Sequence, residues 1–171
     1  LSLTTRQRDF ISIRGKSGVG KSTLLRIIGL LEKPDEGQVK LFGKDVNGFD
    51  DGQKSNLRLH SIGFVFQFFN LIPSLTVLEN IELPMALAGV KKTERKKRAI
   101  ELLNHFDLAN LANRFPPTLS GGEKQRTAII RALTNNPKII LADEPTSSLD
   151  DENSALLMDL LGYINKERGT T

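Results

Sequence analysis

The chain contains no cysteine in its 171 residues. Without cysteine there is no disulfide bond, no thiol nucleophile and no metal site built from thiolates, and the composition is compatible with a reducing cytoplasm. Long apolar runs are also missing, because no stretch approaches the roughly 20 residues that a membrane-spanning helix requires. The first residues lack the charged and then apolar pattern of a secretory signal, so we expect the chain itself to be soluble.

A broad excess of one charge is absent as well. The formal net charge is +4, but residues 91–98 contain six basic residues and one acidic residue and contribute +5, which leaves −1 on the rest of the chain. One solvated helix face explains this distribution, and contact with anionic lipid or nucleic acid is the alternative. The length and a hydrophobic content of 39% favour one globular domain with a real core.

The hydrophobic pattern predicts an α/β core with an inserted helical lobe. Apolar residues at helical spacing predict helices, and short apolar runs bounded by turn residues predict strands. The predicted strands are 10–13, 38–42, 62–66 and 138–142, the last of them fully buried. The predicted helices are 21–31, 77–87, 93–106 with Thr93 as N-cap, and 122–133.

A glycine-rich loop lies between the first predicted strand and the first predicted helix. Glycines let the backbone turn its N–H groups toward a phosphate, and the new helix points its positive end at the anion. We expect the Lys21 ammonium to reach the β- and γ-phosphate oxygens and the Ser22 hydroxyl to bind Mg²⁺. A glycine-rich turn that merely opens a core helix is the alternative. The candidate nucleotide-binding residues are Gly15, Lys16, Ser17, Gly18, Val19, Gly20, Lys21, Ser22 and Thr23.

The predicted strand 138–142 delivers two carboxylates at its carboxyl end, where α/β sheets bind ligands. We expect Asp143 to lie on the Mg²⁺ side and Glu144 to orient and deprotonate an attacking water. Two solvated carboxylates that end a strand before Pro145 are the alternative.

A second glycine pair opens the helix predicted at 122–133. Ser120 can cap this helix, and Gly121 and Gly122 leave its N–H groups open to an anion. Taken alone, the segment is compatible with a helix start that has a flexible cap.

These motifs occur in one order along the chain, and with them the chain resembles the nucleotide-binding subunit of ATP-binding cassette (ABC) transporters. The resemblance covers essentially the whole chain and implies a P-loop NTPase core of the RecA-like type with an inserted helical subdomain. Its elements are a Walker A loop at 15–22, a Q-loop at Gln67, a signature at 119–123, a Walker B strand ending at Asp143 and a D-loop at 147–150. Residues 64–73 and 75–80 resemble the branch that serves lipoprotein release, macrolide export and cell division, and amino-acid importers carry similar strings.

The resemblance also implies roles that the residues alone do not reveal. It implies ATP and Mg²⁺ as cofactors, hydrolysis by Glu144 with Lys21 and Gln67, and a metal site of Ser22, Gln67 and Asp143. Two subunits are expected to pair head to tail, either as copies of the chain or with a homologous subunit, so that the signature of one faces the nucleotide of the other. The residues expected to contact nucleotide in this way are Ser120, Gly121, Gly122, Glu123 and Asp150.

Membrane subunits are the other expected partners, and nucleic acid is not expected. The segment after Gln67 should form a groove for a short cytoplasmic helix of the membrane partner, on the inner face of the cell membrane. We expect one cassette domain, with a core at about 1–67 and 137–171 and a helical subdomain at about 68–136. By resemblance, the adenine-stacking aromatic lies before Leu1 and the switch histidine after Thr171. Glu123 stands where the signature more often has glutamine.

Two other functions remain open on the sequence. A soluble cassette ATPase that acts on nucleic acid or the ribosome is one, although the interval of 99 positions from Lys21 to Ser120 is too short for the coiled coil of chromosome-maintenance members. A nucleotide-binding regulator that does not hydrolyse is the other, and it is disfavoured by the presence of Lys21, Asp143 and Glu144. The sequence does not identify the cargo or its direction.

Overall fold

Helices and short strands alternate through residues 2–171, which are the residues that the computed structural model describes. The helices are α1 (Lys21–Ile28), α2 (Asp51–Ser61), α3 (Val77–Leu87), α4 (Lys92–His105), α5 (Gly121–Leu133) and α6 (Asp151–Arg168). The strands are β1 (Lys40–Leu41), β2 (Lys44–Asp45), β3 (Ile62–Val65) and β4 (Ile139–Ala142). No helix within this range is both long enough and apolar enough to cross a membrane.

The central sheet is a parallel pair made by β3 and β4, with Val65 opposite Ala142. Helices α3, α4 and α5 form the crossover between the two strands. On the far edge of β4, the Thr171 N–H donates to the Lys138 carbonyl (3.0 Å) and the Ile140 N–H donates to the Thr171 carbonyl (2.7 Å). Strands β1 and β2 form a separate antiparallel hairpin. Because β3 and β4 are parallel, their carboxyl ends lie at one edge of the sheet.

Helix α5 is shared by the two largest apolar clusters. Ile130 packs in the cluster formed by α3, α4 and the segment that follows them. Ile129 and Leu133 pack in the cluster that contains Val65 of β3 and α6. All three α5 side chains are fully buried, and burial of each contributes about 1.5–3 kcal/mol. The helix is therefore fixed against the helical region and the sheet at the same time.

Polar side chains determine where several helices begin. Helices α2, α3 and α5 each start with a capping box, in which two side chains accept hydrogen bonds from each other's backbone N–H groups. The pairs are Asp50 with Gln53, Thr76 with Glu79, and Ser120 with Glu123. The Asp150 side chain caps α6 by accepting from the Asn153 N–H. These caps place the starts of α5 and α6, which the candidate site uses.

Three predictions of local structure are wrong. Residues 10–13 are not a strand: Phe10 is 52% exposed, and the hydrogen bonds found within residues 2–171 give this segment no backbone partner. A β-prone run becomes a strand only when a neighbour pairs with it. Thr93 is not the N-cap of α4, because the helix begins at Lys92 and its N-cap is Lys91. Strand β4 is not fully buried, since only Leu141 is buried in so narrow a sheet.

The predictions for the helical region are otherwise confirmed. Helix α3 has the predicted bounds, and α4 and α5 begin one residue earlier than expected. The basic run lies on α4, where Lys92, Lys96 and Lys97 are exposed. Arg95 is half-buried and its Nε lies 3.0 Å from Glu82 Oε2. Helices α2 and α6 were not predicted.

Candidate nucleotide-binding and hydrolysis site

The phosphate loop, residues 15–20, is exposed and ends where α1 begins. Gly18 and Gly20 have φ of 78° and 97°, which a residue with a side chain rarely adopts, so glycine is favoured at both positions. The Lys21 ammonium donates to the carbonyls of Gly15 (3.1 Å) and Lys16 (3.0 Å). The loop therefore curves around the Lys21 side chain at the positive end of a helix, which is an anion-binding arrangement.

Ser22 and Asp143 meet across 121 positions of sequence. The Ser22 hydroxyl donates to Asp143 Oδ1 at 2.8 Å, and both residues are half-buried. A hydroxyl and a carboxylate are oxygen ligands of the type that Mg²⁺ prefers, and Mg²⁺ in phosphate sites takes few protein ligands and completes its shell with phosphates and water. Residues 2–171 contain no cluster of three or more acidic, histidine or cysteine side chains able to hold a metal by themselves.

Glu144 follows Asp143 in a turn that is held at two carbonyls. Its side chain is exposed and its φ is 45°, an unusual value for a residue that is not glycine. The Glu144 carbonyl accepts from the Ser147 hydroxyl (2.9 Å) and the Ser147 N–H (3.2 Å). The next carbonyl, that of Pro145, accepts from Gln125 Nε2 of α5 at 2.9 Å. The turn therefore presents the Glu144 carboxylate to solvent beside Asp143.

Gln67 lies just beyond the end of β3, on the edge of the sheet that also carries Asp143. It is half-buried, and it lies two residues after Val65, whose carbonyl accepts from the Asp143 N–H at 2.9 Å. Phe69 and Asn70 follow with φ of 60° and 49°. The parallel pairing of β3 and β4 therefore gathers the predicted metal ligands at one edge.

Residues 68–75, hereafter the docking segment, are attached to the helices by polar side chains. The Arg131 guanidinium of α5 donates to the carbonyls of Phe69 (2.9 Å) and Asn70, and burial lowers the pKa of Arg131. Phe68, by contrast, is 76% exposed. The segment therefore has a fixed backbone and an exposed aromatic side chain.

The signature segment begins α5 and packs against the start of α6. Ser120 caps the helix as predicted, and Gly122 is buried. A Cβ atom on Gly122 would lie 2.4 Å from Asn153 Oδ1, so any larger residue there would displace the Asn153 side chain. Asn153 is itself held by Asp150, whose carboxylate accepts from Asn153 Nδ2 at 3.0 and 2.9 Å. The hydrogen bond from the Asn153 N–H lowers the pKa of Asp150.

The Glu123 carboxylate is used within the chain. It accepts from the Ser120 N–H at 2.7 Å and lies 3.7 Å from Arg114 Nη1. The Ser120 N–H and the nearby Arg114 hold the pKa of Glu123 below its usual range. The glutamate that replaces the more common glutamine therefore completes the cap of α5.

The site residues form two groups on the chain. One contains the phosphate loop with Ser22, Asp143, Glu144 and Gln67. The other contains the signature with Asp150, and no hydrogen bond or ion pair found in residues 2–171 joins it directly to the phosphate loop. Gln125 is the polar contact from the signature helix to the Glu144 turn. The fold and these groups define a P-loop nucleotide-binding protein with two half-sites.

Sequence reasoning missed three residues that hold these groups in place, namely Gln125, Arg131 and Asn153. A signal for Gln125 was available, because it precedes the buried Ile129 by one helical turn and therefore interrupts the apolar face of α5. The contact of Arg131 with Phe69 and the approach of Asn153 to Gly122 cross long stretches of sequence and had no local signal, whereas the bonds of Asn153 to Asp150 lie within one helical turn.

Comparison with known proteins agrees with this class. The family described as ABC transporter matches residues 1–147. The ABC transporter ATP-binding protein MJ0796 of Methanocaldococcus jannaschii, described as uncharacterized, is 49% identical over 175 residues, covering 100% of this chain and 74% of that protein. The lipoprotein-releasing system ATP-binding protein LolD of Aquifex aeolicus is 49% identical over 171 residues, covering 100% of this chain and 76% of that protein.

A solved structure extends the comparison to three dimensions. The dimeric structure of MJ0796 in a post-hydrolysis state, bound to ADP and Pi, has a TM-score of 0.90 and 49% identity, and the match covers 99% of this chain and 75% of that one. The chain belongs to the ABC transporter family. It is an ATP-binding subunit with ATPase activity, and its fold is the predicted α/β P-loop core with inserted helices. These relatives favour transport over the nucleic-acid and regulatory alternatives.

Proposed function

We propose that this chain hydrolyses Mg-ATP at a site completed by a second ATPase subunit, and that it couples this reaction to the membrane subunits of a transporter. The observation that carries the proposal is the 2.8 Å contact of Ser22 with Asp143 beside the loop that encloses Lys21. This contact places two oxygen ligands of the type suited to Mg²⁺ next to the Lys21 ammonium, which can bind phosphate. Glu144 then stands next to the phosphates of a nucleotide in that loop.

Each residue has a separate task in this proposal. The loop N–H groups and Lys21 hold the β- and γ-phosphates, and Ser22, Asp143 and Gln67 would hold Mg²⁺, which supplies neutralisation of phosphate charge when bound. Glu144 orients a water and accepts its proton, because its carboxylate is exposed and directly follows Asp143 in the chain. Phosphoryl transfer depends mostly on such positioning and on charge stabilisation.

The second half-site supports a head-to-tail pair of subunits. Gly121 and Gly122 begin a helix of 13 residues, and the Ser120 side chain already bonds to one of its first N–H groups. The remaining N–H groups suit the γ-phosphate held by another subunit, since helix N-termini attract anions. The dimeric MJ0796 structure supports the pairing. Asp150 and Glu123 would act here by shaping the signature, because both carboxylates are bonded within their own chain.

In this proposal the docking segment is the surface that contacts the membrane subunit. Its exposed Phe68 and Ile72 offer apolar side chains on a fixed backbone, which suits a short helix of a membrane subunit. In this proposal the helical subdomain spans about 68–136, the core spans about 1–67 and 137–171, and the protein lies on the cytoplasmic face of the membrane. The similarity to LolD supports the lipoprotein-release branch for this chain.

Glu144→Gln in the full-length protein tests the proposal. ATP affinity should be retained while turnover falls at least about a hundredfold, because the amide cannot take a proton from water. ATP-bound dimers should accumulate in size-exclusion chromatography. Glu167→Gln, an exposed glutamate on α6, is the matched control and should keep normal turnover. Turnover of the Glu144→Gln protein within a few-fold of wild type would remove Glu144 from this role.

A further inference from the structure

Gln125 is a buried amide with one unusual contact. It has no exposed surface and lies one helical turn before the buried Ile129. Its Nε2 donates to the Pro145 carbonyl at 2.9 Å, while its Oε1 is buried without a hydrogen-bond partner. A buried acceptor left without a partner costs about 1–3 kcal/mol, and an apolar side chain at this place would avoid that cost. The contact with Pro145 is therefore what the glutamine provides and an apolar residue cannot.

That contact holds a strained part of the hydrolysis site. Glu144 has φ of 45°, a left-handed conformation that costs a residue with a side chain about 1–2 kcal/mol. The residue before a proline is restricted further, because the proline ring crowds its backbone. Such a conformation persists only where its surroundings fix it. Ser147 fixes the Glu144 carbonyl from inside the turn, and Gln125 fixes the Pro145 carbonyl from α5.

We propose that Gln125 is a positioning residue for hydrolysis, which anchors the Glu144–Pro145 turn to the signature helix and so sets the direction of the Glu144 carboxylate. This inference rests on the proposed role of Glu144 as the group that activates water. Gln125 does not touch the reacting atoms in this scheme. Its loss therefore lowers the rate of hydrolysis and leaves nucleotide binding intact, because the phosphate loop has no hydrogen bond to it.

A role in stability alone predicts a different result. Gln125→Met keeps the length of the side chain, fills the same buried space and removes the orphaned Oε1 along with the hydrogen bond. These effects on stability oppose each other, so the melting temperature should change little. The Pro145 carbonyl loses its anchor, however, and the turn gains freedom at the place where Glu144 must be oriented.

The test measures turnover, nucleotide affinity and local exchange in the full-length protein. In Gln125→Met we expect kcat to fall by about tenfold or more, with KM and ADP affinity within about twofold of wild type. Hydrogen exchange at the Ser147 amide should become faster, because this N–H donates to the Glu144 carbonyl inside the turn. Gln125→Asn is the second variant, since it keeps the buried amide but is one methylene too short to reach Pro145.

Thr134→Val is the matched control. Thr134 is fully buried at the other end of α5, and its hydroxyl donates to the Arg131 carbonyl of its own helix at 2.8 Å. Its loss removes a buried hydrogen bond from the same helix without touching the turn, so kcat and the Ser147 exchange rate should stay near wild type.

The possible outcomes separate the two hypotheses. A folded Gln125→Met or Gln125→Asn protein with kcat within about twofold of wild type overturns the positioning role. Failure of both variants to fold also overturns it, in favour of a structural role. If Glu144→Gln hydrolyses ATP normally, the proposed function fails on its own account. If Glu144→Gln is inactive while the Gln125 variants are active, only the present inference fails.

Discussion

The phosphate loop and the docking segment are both irregular stretches that lead into a helix, but different groups hold them in place. The phosphate loop is exposed throughout, and its main contacts are those of Lys21 with the Gly15 and Lys16 carbonyls. Beyond these, the Val19 N–H approaches the Lys16 carbonyl at 3.4 Å. The loop is thus held by its own residues and by the side chain that is assigned to the phosphates.

The docking segment is held from outside by side chains of two helices. Asn80 of α3 is fully buried; its Oδ1 accepts from the Ile72 N–H (2.8 Å), and its Nδ2 donates to the carbonyls of Ile72 (3.1 Å), Leu75 (3.0 Å) and Thr76 (2.9 Å). Arg131 of α5 holds the other end at Phe69 and Asn70. The backbone of the docking segment is therefore ordered without a bound partner.

This difference matches the tasks of the two segments. A loop whose lysine bonds to its own carbonyls can exchange those bonds for phosphate oxygens at little cost in structure. A segment that must present side chains to a protein gains affinity when its backbone is ordered in advance, because less entropy is lost on binding. Substitutions in the two segments should consequently affect different measurements, binding in one and stability in the other.

The largest effect is expected for Lys21→Ala. The ammonium neutralises phosphate charge in both the ground state and the transition state, so ATP affinity and turnover should each fall about a hundredfold or more. Calorimetry with ATP decides, and the melting temperature of the nucleotide-free protein should change little because Lys21 bonds only within an exposed loop. Lys33→Ala, in an exposed loop, is the control. Unchanged ATP affinity would contradict the phosphate-loop assignment.

Asn80→Leu should have the opposite effects from Lys21→Ala: it should lower stability and leave nucleotide affinity unchanged. The leucine has the branched shape of asparagine but leaves part-buried backbone groups of Ile72 and Leu75 without their partner. At about 1–3 kcal/mol for each orphaned group, the free energy of unfolding should fall by about 3 kcal/mol or more. For a domain of this size that lowers the melting temperature by roughly 6–12 °C. ADP affinity should remain near wild type, and a matching loss of ADP affinity would break the proposed contrast between the two segments.

Local sequence signals identified the phosphate loop in full and the docking segment only in part. The loop is encoded in consecutive residues, since Gly18 and Gly20 supply its positive φ angles and Lys21 and Ser22 its chemistry. The anchor Asn80 lies eight positions from Ile72 on a helix whose bounds the apolar spacing predicted. No local pattern showed that Asn80 would bind the backbone of Ile72 and Leu75.

The same limit explains the errors elsewhere in the fold. Helix α2 is mostly polar and has no apolar stripe, so only its Asp50–Gln53 capping box could have indicated it. The segment 10–13 has the composition of a strand, but strand formation depends on a neighbour that the composition does not specify. Gln125 and Arg131 lie on a correctly predicted helix, and their partners are 20 and 62 residues away. Elements follow from local patterns, whereas the contacts between them do not.

A smaller effect is expected for Arg131→Lys. The guanidinium donates to two carbonyls of the docking segment through different nitrogens, and a single ammonium cannot reproduce that fork. We expect a loss of about 1 kcal/mol in the free energy of unfolding, or about 2–4 °C in melting temperature, with ADP affinity unchanged. Arg168→Lys, exposed at the end of α6, is the control. A larger loss in the control than in Arg131→Lys would show that the fork does not hold the segment.

The smallest expected effect concerns two capping boxes: the one at the start of α3, beside the docking segment, and the one at the start of α5, at the signature. Glu79 lies in the first turn of α3 beside the docking segment and Glu123 lies in the first turn of α5 at the signature, and the backbone N–H groups of Thr76 and Ser120 lower the pKa of each. A carboxyl whose pKa is lower in the folded state stabilises the fold fully above its unfolded pKa, about 4.3, and loses that contribution as the pH falls through the folded value. Glu79→Gln with Glu123→Gln should therefore flatten the pH dependence of the urea midpoint between about pH 5 and 3.

The chain contains its own counterpart for this test. The box that begins α2 has the neutral Gln53 at the position that Glu79 and Glu123 occupy in the other two boxes, and its N-cap is Asp50. Gln53→Glu should make the urea midpoint depend more steeply on pH over the same range, because the new carboxyl group accepts more strongly from the Asp50 N–H when it is ionised than when it is neutral. The Asp50 carboxylate lies close by and opposes this gain, so the steepening should be smaller than the flattening in the double variant. If neither change alters the slope, the caps are not the source of the acid sensitivity in either region.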